Sequence, residues 1–177
     1  MPEWLRLMDQ DGALAAQVND LFDASPFLSV ESLRTPELPA EFAVFGSGPG
    51  EPPGEADAGE LRRWFRREMF RTQCESVCLR RPVFETLEQT SELDERVMTA
   101  AYCVAVWAAH PPVAINYRSR KQMMVVALGR LGTREFDLGS DADLFFVLPN
   151  WDAIELAFWT RVAGKMIDVS YRFGVCA

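Results

Sequence analysis

Residues 123–148 read MMVVALGRLGTREFDLGSDADLFFVL, and this stretch decides the fold. It opens with an apolar run that ends at Gly129, and it closes with a second apolar run that Pro149 stops. Short, continuous apolar runs bounded by turn residues are typical of buried strands. The stretch therefore predicts two buried strands joined by a segment rich in turns.

Two carboxylates stand at the start of the second strand, at Asp141 and Asp143. In an extended chain, residues i and i+2 point to the same side, so these side chains are predicted to lie side by side. Adjacent carboxylates repel each other unless a cation lies between them, and Mg²⁺ prefers oxygen ligands that it shares with substrate phosphates. We predict that Asp141 and Asp143 are catalytic residues that bind Mg²⁺ (or Mn²⁺). An acidic turn at a strand edge is the alternative, because Asp favours turns.

The turn after the first strand has the residue types of a phosphate-binding loop. Gly129 and Gly132 allow backbone N–H groups to approach a triphosphate closely. Thr133 offers a hydroxyl donor, and Arg130 and Arg134 offer positive charge for phosphate oxygens. Each motif alone is common, but a strand, a Gly-Thr turn and an Asp-x-Asp strand in this order form a more specific pattern.

This order of motifs resembles the polymerase-β-like nucleotidyltransferase superfamily. The resemblance implies in-line attack on an α-phosphate, with pyrophosphate as the leaving group. Two metal ions about 3.5–4 Å apart stabilise the attacking and leaving oxygens in such sites.

Within that superfamily, the chain resembles the glutamine synthetase adenylyltransferase family, from about residue 20 to about residue 170. Residues 129–144 are similar to the family's G-x-L-G-x-x-E turn and S-D-x-D-L strand. Residues 61–68, LRRWFRRE, resemble its Arg-rich helix, and residues 24–28 read ASPFL, as in its N-terminal part. By motif match, Asp141 and Asp143 are the metal carboxylates, and the nucleotide-binding residues are Gly129, Gly132, Thr133, Ser140 and Arg130.

The resemblance implies particular chemistry and partners. Members of this family transfer AMP from ATP to a tyrosine of glutamine synthetase, or remove it by phosphorolysis with release of ADP. A PII signalling protein and glutamine set the direction. ATP is thus the expected substrate, and glutamine synthetase and a PII protein are the expected partners.

The chain departs from the family near its C-terminus. The family places a third metal carboxylate in a V-D-x-R-L-R-P strand, whereas Asp168 is expected to fall on a helix. A second hypothesis follows, in which the chain is a catalytically silent or truncated nucleotide-binding or regulatory module. A third, a nucleotidyltransferase with a small-molecule acceptor, is disfavoured by the match of the Arg-rich helix to the protein-modifying family.

The rest of the chain reads as helical, so the predicted fold is α+β: a helical module followed by a small polymerase-β-like core with a mixed sheet. The apolar spacing predicts helices over 60–80 and 91–110, the second starting at a capping box, Ser91 to Asp94. Another helix is predicted to start at Ser25, which can cap it, with Pro26 at its first position. Its apolar stripe, which includes Trp107, is assigned to the core. The predicted units are a helical segment (1–45), a flexible Gly/Pro linker (46–59), a helical bundle (60–116) and an incomplete nucleotidyltransferase core (117–177).

Composition narrows the functional class. The formal net charge of -8 argues against a general nucleic-acid binder, which needs a broad basic surface. No apolar run reaches membrane-spanning length and no secretory signal is recognised, so a cytoplasmic location is expected. Cys74 and Cys78 are interpreted as apolar helix residues rather than half of a metal site, because no second pair accompanies them.

Overall fold

A computed structural model describes residues 9, 12–35, 46, 49–54, 57–109, 123–137, 140–148 and 156–171. Their secondary structure comprises the elements α1 Gly12–Ala24, α2 Pro26–Arg34, α3 Ala58–Cys78, α4 Val83–Ala108, β1 Met124–Ala127, α5 Gly129–Gly132, β2 Leu144–Val147 and α6 Leu156–Tyr171. The described part is mostly helical and contains one two-stranded sheet, in agreement with the predicted α+β class.

The first two helices form a hairpin that packs on α3. Ser25 caps α2 by accepting a hydrogen bond from the backbone amide of Leu28 at 3.3 Å, and Pro26 occupies the first turn, as the sequence predicts. The buried apolar side chains of this hairpin meet those of α3 in a small cluster formed by Val18, Leu21, Leu28, Phe70 and Cys74.

Helix α3 begins at a capping box that was not predicted. The Asp57 side chain accepts from the amide of Glu60 at 2.8 Å, and the Glu60 side chain accepts from the amide of Asp57 at 3.3 Å. The hydrogen bonds from Glu60 and Gly59 hold the pKa of Asp57 below its ordinary value. The predicted apolar face is buried, with Leu61 fully inaccessible.

Helix α4 starts two turns before the predicted position, so the capping box at Ser91 is wrong. Ser91 lies inside the helix, where its hydroxyl donates to the carbonyl oxygen of Leu87 at 2.7 Å. The first two turns of α4 were not predicted to be helical, and their apolar residues Val83 and Phe84 are exposed and do not pack on the core. Trp107 was assigned to the core, but it is 77% exposed on the outer side of the helix.

The two strands pair antiparallel, with Val125 opposite Phe146. A mixed sheet was predicted, whereas the described residues form this antiparallel pair alone. Both strands were also expected to be buried, yet Met124 and Phe145 are each 60% exposed. Only one face of the pair packs on the core. The prediction failed because a continuous apolar run does not reveal whether one face of a strand or both are covered.

One hydrophobic cluster joins the bundle to the sheet. Helix α6 packs along α4 through its fully or almost fully buried side chains Trp159, Val162 and Met166. The same cluster includes Leu131 from the turn and receives the partly buried face of the sheet. Among the described helices, none combines the length and apolar character needed to cross a membrane.

Candidate active site

The predicted turn and the predicted Asp pair meet at the end of the sheet. Just beyond β1, the amide of Leu128 donates to the carbonyl oxygen of Asp143 at 2.8 Å, which extends the strand pairing by one bond. The chain then forms α5, a single helical turn from Gly129 to Gly132. The turn and the carboxylate strand are therefore held together by backbone hydrogen bonding.

The local geometry favours glycine at both Gly129 and Gly132. Gly129 has φ +54°, and a β-carbon there would lie 3.4 Å from Oδ2 of Asp143. At Gly132, a β-carbon would lie only 2.7 Å from the carbonyl oxygen of Ala127, a distance that real side chains essentially never show. Gly129 thus brings bare backbone against a predicted metal carboxylate, and Gly132 lets the turn pack on β1.

The turn ends in a Schellman motif with an arginine at its left-handed position. Arg134 has φ +60°. The amide of Glu135 donates to the carbonyl oxygen of Arg130 at 2.7 Å, and the amide of Arg134 donates to the carbonyl oxygen of Leu131 at 3.2 Å. Glycine is the usual residue at such a position, because other residues are strained there. The guanidinium of Arg134 lies 3.4 Å from Glu92 of α4, so it points to the helix in this structure.

Asp141 and Asp143 are both exposed, while Ala142 and Leu144 are partly buried against the core. This alternation is what an extended chain with both carboxylates on one side produces. Asp168 lies on α6 and is exposed, as expected for a helical position outside the site. Among the described residues, no group of three or more His, Cys, Asp or Glu side chains could hold a metal ion.

Two of the remaining predicted nucleotide-binding residues, Arg130 and Ser140, form a polar cluster around Asp137, which was not predicted as a site residue. Arg130 forms an ion pair with Asp137 and lies 3.5 Å from the Ser140 hydroxyl. Ser140 in turn donates to Oδ1 of Asp137 at 2.8 Å. The Thr133 hydroxyl lies 3.3 Å from the carbonyl oxygens of Gly129 and Arg130. The only sequence signal for Asp137 was an acidic residue in a turn.

The amides of Gly132 and Thr133 are used within the turn itself. Gly132 donates to the carbonyl oxygen of Leu128 at 3.0 Å, and Thr133 donates to that of Gly129 at 3.1 Å. In this conformation, neither amide is free to bind a further group, whereas Arg130 carries a charged guanidinium that is 62% exposed.

Helix α4 carries buried polar residues behind the turn. Thr90 and Ser91 are fully inaccessible, and both hydrogen bond to the backbone of Phe136. Asp94, one turn further on, is 3% exposed, and its Oδ2 is buried without a hydrogen-bond partner. Burial, with a smaller effect from the Glu95 carboxylate, raises the pKa of Asp94 to about 7. These residues were not predicted to be buried inside a helix, because Ser91 has the chemistry of a helix cap.

Two further buried carboxylates belong to the scaffold. On α3, Glu68 pairs with Arg71 at 2.5 Å and accepts from the amide of Gly50 at 2.9 Å. Glu75 pairs with Arg81 at 2.5 Å and accepts from the amide of Gly46 at 2.9 Å. Described residues of the Gly/Pro segment are thus attached to α3, and the flexibility of that segment stays a prediction.

The two cysteines of α3 behave as core residues. Burial raises the pKa of the Cys74 thiol far above its ordinary value. Burial, together with the Asp20 carboxylate, raises the pKa of Cys78 to about 11. Burial therefore favours the protonated, uncharged form of both thiols, as expected for apolar helix residues.

Comparison with known proteins agrees with the arrangement of these motifs. The sequence profile of the glutamate-ammonia ligase adenylyltransferase family matches residues 16–169. A bifunctional glutamine synthetase adenylyltransferase/adenylyl-removing enzyme of Chromobacterium violaceum is 28% identical over 147 residues, which cover 77% of this chain and 16% of that protein. The enzyme of the same name from Nitrosococcus oceani is 32% identical over 93 residues, which cover 50% of this chain. The one from Neisseria meningitidis serogroup B is 29% identical over 116 residues, which cover 64% of this chain.

The aligned parts amount to 16%, 10% and 12% of the relatives' lengths, so the chain corresponds to about a sixth of those proteins or less. The family profile, in contrast, extends from α1 into α6 and includes the turn and the Asp pair. This chain therefore belongs to the glutamate-ammonia ligase adenylyltransferase family.

Proposed function

We propose that this chain is a nucleotidyltransferase unit that transfers AMP from ATP to a tyrosine of glutamine synthetase, or removes it by phosphorolysis. The observation that carries the proposal is the contact between the turn and the Asp pair, where the backbone of Gly129 faces Oδ2 of Asp143. Family membership supports the reaction class, and the names of the related enzymes identify glutamine synthetase as their target. The strand–turn–strand unit is, in this proposal, part of a polymerase-β-like core.

The carboxylates of Asp141 and Asp143 would hold Mg²⁺ or Mn²⁺. Their oxygen donors, their exposure and their position on one side of the strand suit a hard cation that shares its ligands with phosphates. When bound, such an ion supplies charge stabilisation for the phosphoryl oxygens during transfer. The described residues include no third carboxylate beside this pair.

The other site residues would orient the nucleotide. Arg130 carries a guanidinium that can pair with phosphate oxygens, and its bond to Asp137 keeps it near Ser140. Gly129 removes the side chain that would separate the nucleotide from Asp143. In adenylylation, the tyrosine oxygen forms a bond to the α-phosphorus and the bond to the leaving pyrophosphate breaks. In removal, an oxygen of inorganic phosphate forms a bond to the phosphorus of the tyrosine-bound AMP, the bond to the tyrosine oxygen breaks, and ADP leaves.

The partners follow from family resemblance. Glutamine synthetase is the proposed acceptor, a PII signalling protein is the proposed regulator, and the proposed location is the cytoplasm. The alternative function is a catalytically silent or truncated nucleotide-binding module. The observation that favours it is that the Asp pair lacks a third carboxylate among the described residues.

A transfer assay separates these proposals. Incubation with α-labelled ATP, Mg²⁺ and glutamine synthetase should label the synthetase, and adenylylated synthetase with phosphate should yield ADP if the chain removes AMP. The Asp141→Asn/Asp143→Asn variant should lose either activity, while Asp168→Asn, which changes an exposed carboxylate on α6, should keep it. Nucleotide binding with neither activity would contradict the enzyme proposal and support the silent module.

A further inference from the structure

Two hydroxyl side chains on α4, those of Thr90 and Ser91, hydrogen bond to the backbone of Phe136. The amide of Phe136 donates to the Ser91 hydroxyl oxygen at 3.1 Å, and the Thr90 hydroxyl donates to the carbonyl oxygen of Phe136. Thr90 and Ser91 are both fully inaccessible to solvent, and Phe136 is 6% exposed. Both backbone groups of Phe136 are thus satisfied by α4 in a buried environment.

The hydroxyl of Ser91 is well suited to this contact. It donates its proton to the carbonyl oxygen of Leu87 at 2.7 Å, which leaves its lone pairs to accept the amide of Phe136. Thr90 also lies 3.0 Å from the carbonyl oxygens of Thr86 and Leu87, so its single proton is shared among several acceptors. Ser91 and Thr90 therefore hold the two backbone groups of Phe136 in different ways, one as an acceptor and the other as a donor.

Phe136 lies between the end of the turn and Asp137, the residue that pairs with Arg130. Arg134 precedes it in the left-handed conformation, and Asp137, which follows it, binds Arg130 and Ser140. Fixing the backbone of Phe136 therefore limits the movement of the residues on either side.

The side chain of Arg134 adds a third connection to the same stretch of α4. Its guanidinium lies 3.4 Å from the carboxylate of Glu92 and 3.9 Å from that of Glu95. These ion pairs are partly exposed and weak by themselves, but they act on the residue with the strained backbone. The segment of α4 from Thr90 to Glu95 thus contacts the chain that follows α5 at both Arg134 and Phe136.

We infer that Ser91 and Thr90 are positioning residues, through which helix α4 holds the turn in the geometry that binds nucleotide. The inference rests on the proposed function and deepens it, because it makes the helical part of the chain a determinant of nucleotide affinity. Neither hydroxyl touches the nucleotide, and both act through the backbone of Phe136.

The test measures local hydrogen exchange and MgATP binding on the full chain. Ser91→Ala leaves the buried amide of Phe136 without its acceptor, and Thr90→Val removes the second hydroxyl at nearly constant shape. Thr90→Ser keeps that hydroxyl and should restore binding. Thr99→Val is the matched control, because Thr99 is an exposed α4 residue that bonds only to its own helix at Glu95.

In Ser91→Ala, exchange of the Phe136 amide should be roughly tenfold faster, and the dissociation constant for MgATP should rise roughly fivefold, as expected for the loss of one or two hydrogen bonds. Amides of α6 should exchange as in the wild type, which a general loss of stability would not allow. Thr90→Val should also weaken MgATP binding, and Thr99→Val should bind MgATP like the wild type.

Unchanged MgATP affinity in Ser91→Ala, in a wild-type chain that binds MgATP, would overturn this inference and leave the proposed function intact. Equal loss of affinity in Thr99→Val would also overturn it. A wild-type chain that binds no MgATP would sink the proposed function, and this inference with it.

Discussion

Replacing Asp94 with asparagine should change how the stability of the chain depends on pH. Asp94 is 3% exposed, its Oδ2 has no hydrogen-bond partner, and burial raises its pKa from 3.8 to about 7. The difference of about 3 units corresponds to about 4 kcal/mol at about 1.4 kcal/mol per unit. The unfolding free energy of the wild type falls by this amount as pH rises and the buried carboxyl ionises.

The sign follows from proton binding in the two states. Between about pH 4 and pH 7, the folded chain retains the proton on Asp94 and the unfolded chain has released it. Folding therefore takes up a proton, so the contribution is fully present below about pH 4 and is lost as pH rises towards about 7. Above pH 7 both states are ionised and the contribution stays constant.

Urea unfolding of the wild type and Asp94→Asn at several pH values between 4 and 8 measures this effect. The difference in unfolding free energy should shift in favour of the variant by up to about 4 kcal/mol across that range. Glu88→Gln, which changes an exposed carboxylate on the same helix, should show no comparable shift. A constant difference between Asp94→Asn and wild type at every pH would refute the reasoning.

Three further changes test the packing. Gly132→Ala places a β-carbon 2.7 Å from the carbonyl oxygen of Ala127, so unfolding free energy should fall by about 1–3 kcal/mol and MgATP binding should weaken. Gly164→Ala is its counterpart, because nothing lies within 4 Å of a β-carbon there and a helical glycine costs about 1 kcal/mol, so thermal unfolding should occur at a higher temperature. Glu68→Gln removes the carboxylate that pairs with Arg71 in a buried site, so urea unfolding should show a loss of about 3–5 kcal/mol, and a loss below about 1 kcal/mol would contradict the assignment.

The parts of the fold that the sequence predicted are those with a strong local cause. Ser25 and Pro26 give a cap and a first helical turn from their own chemistry, and the structure confirms both. The order of strand, glycine turn and strand was also predictable, because apolar runs and glycines fix it within residues 123–148.

The parts that failed depend on contacts between distant residues. Ser91 has the chemistry of a cap, but its hydroxyl bonds inside α4 and accepts from Phe136, 45 residues away. Trp107 fits the apolar period of α4, yet no described neighbour covers it and it is 77% exposed. Helical periodicity gives the side of a helix on which a residue lies, but not whether another element packs there.

The candidate site was predictable in its residue types and not in its connections. Gly129, Gly132 and the Asp pair lie together at the end of the sheet, as their order in the sequence implied. Asp137 went unnoticed because its role, holding Arg130 beside Ser140, exists only once the turn has folded. The binding roles of these residues stay predictions.

The most direct test of the central claim is to locate a bound metal–nucleotide complex on the 20.0 kDa chain by paramagnetic broadening. With isotope-labelled protein, ATP and substoichiometric Mn²⁺, the amides of Gly129 and Asp143 should broaden first, and Asp141→Asn/Asp143→Asn should abolish the effect. Broadening centred elsewhere, or unchanged in that variant, would contradict the assignment of the Asp pair and the glycine turn to one nucleotidyl-transfer site.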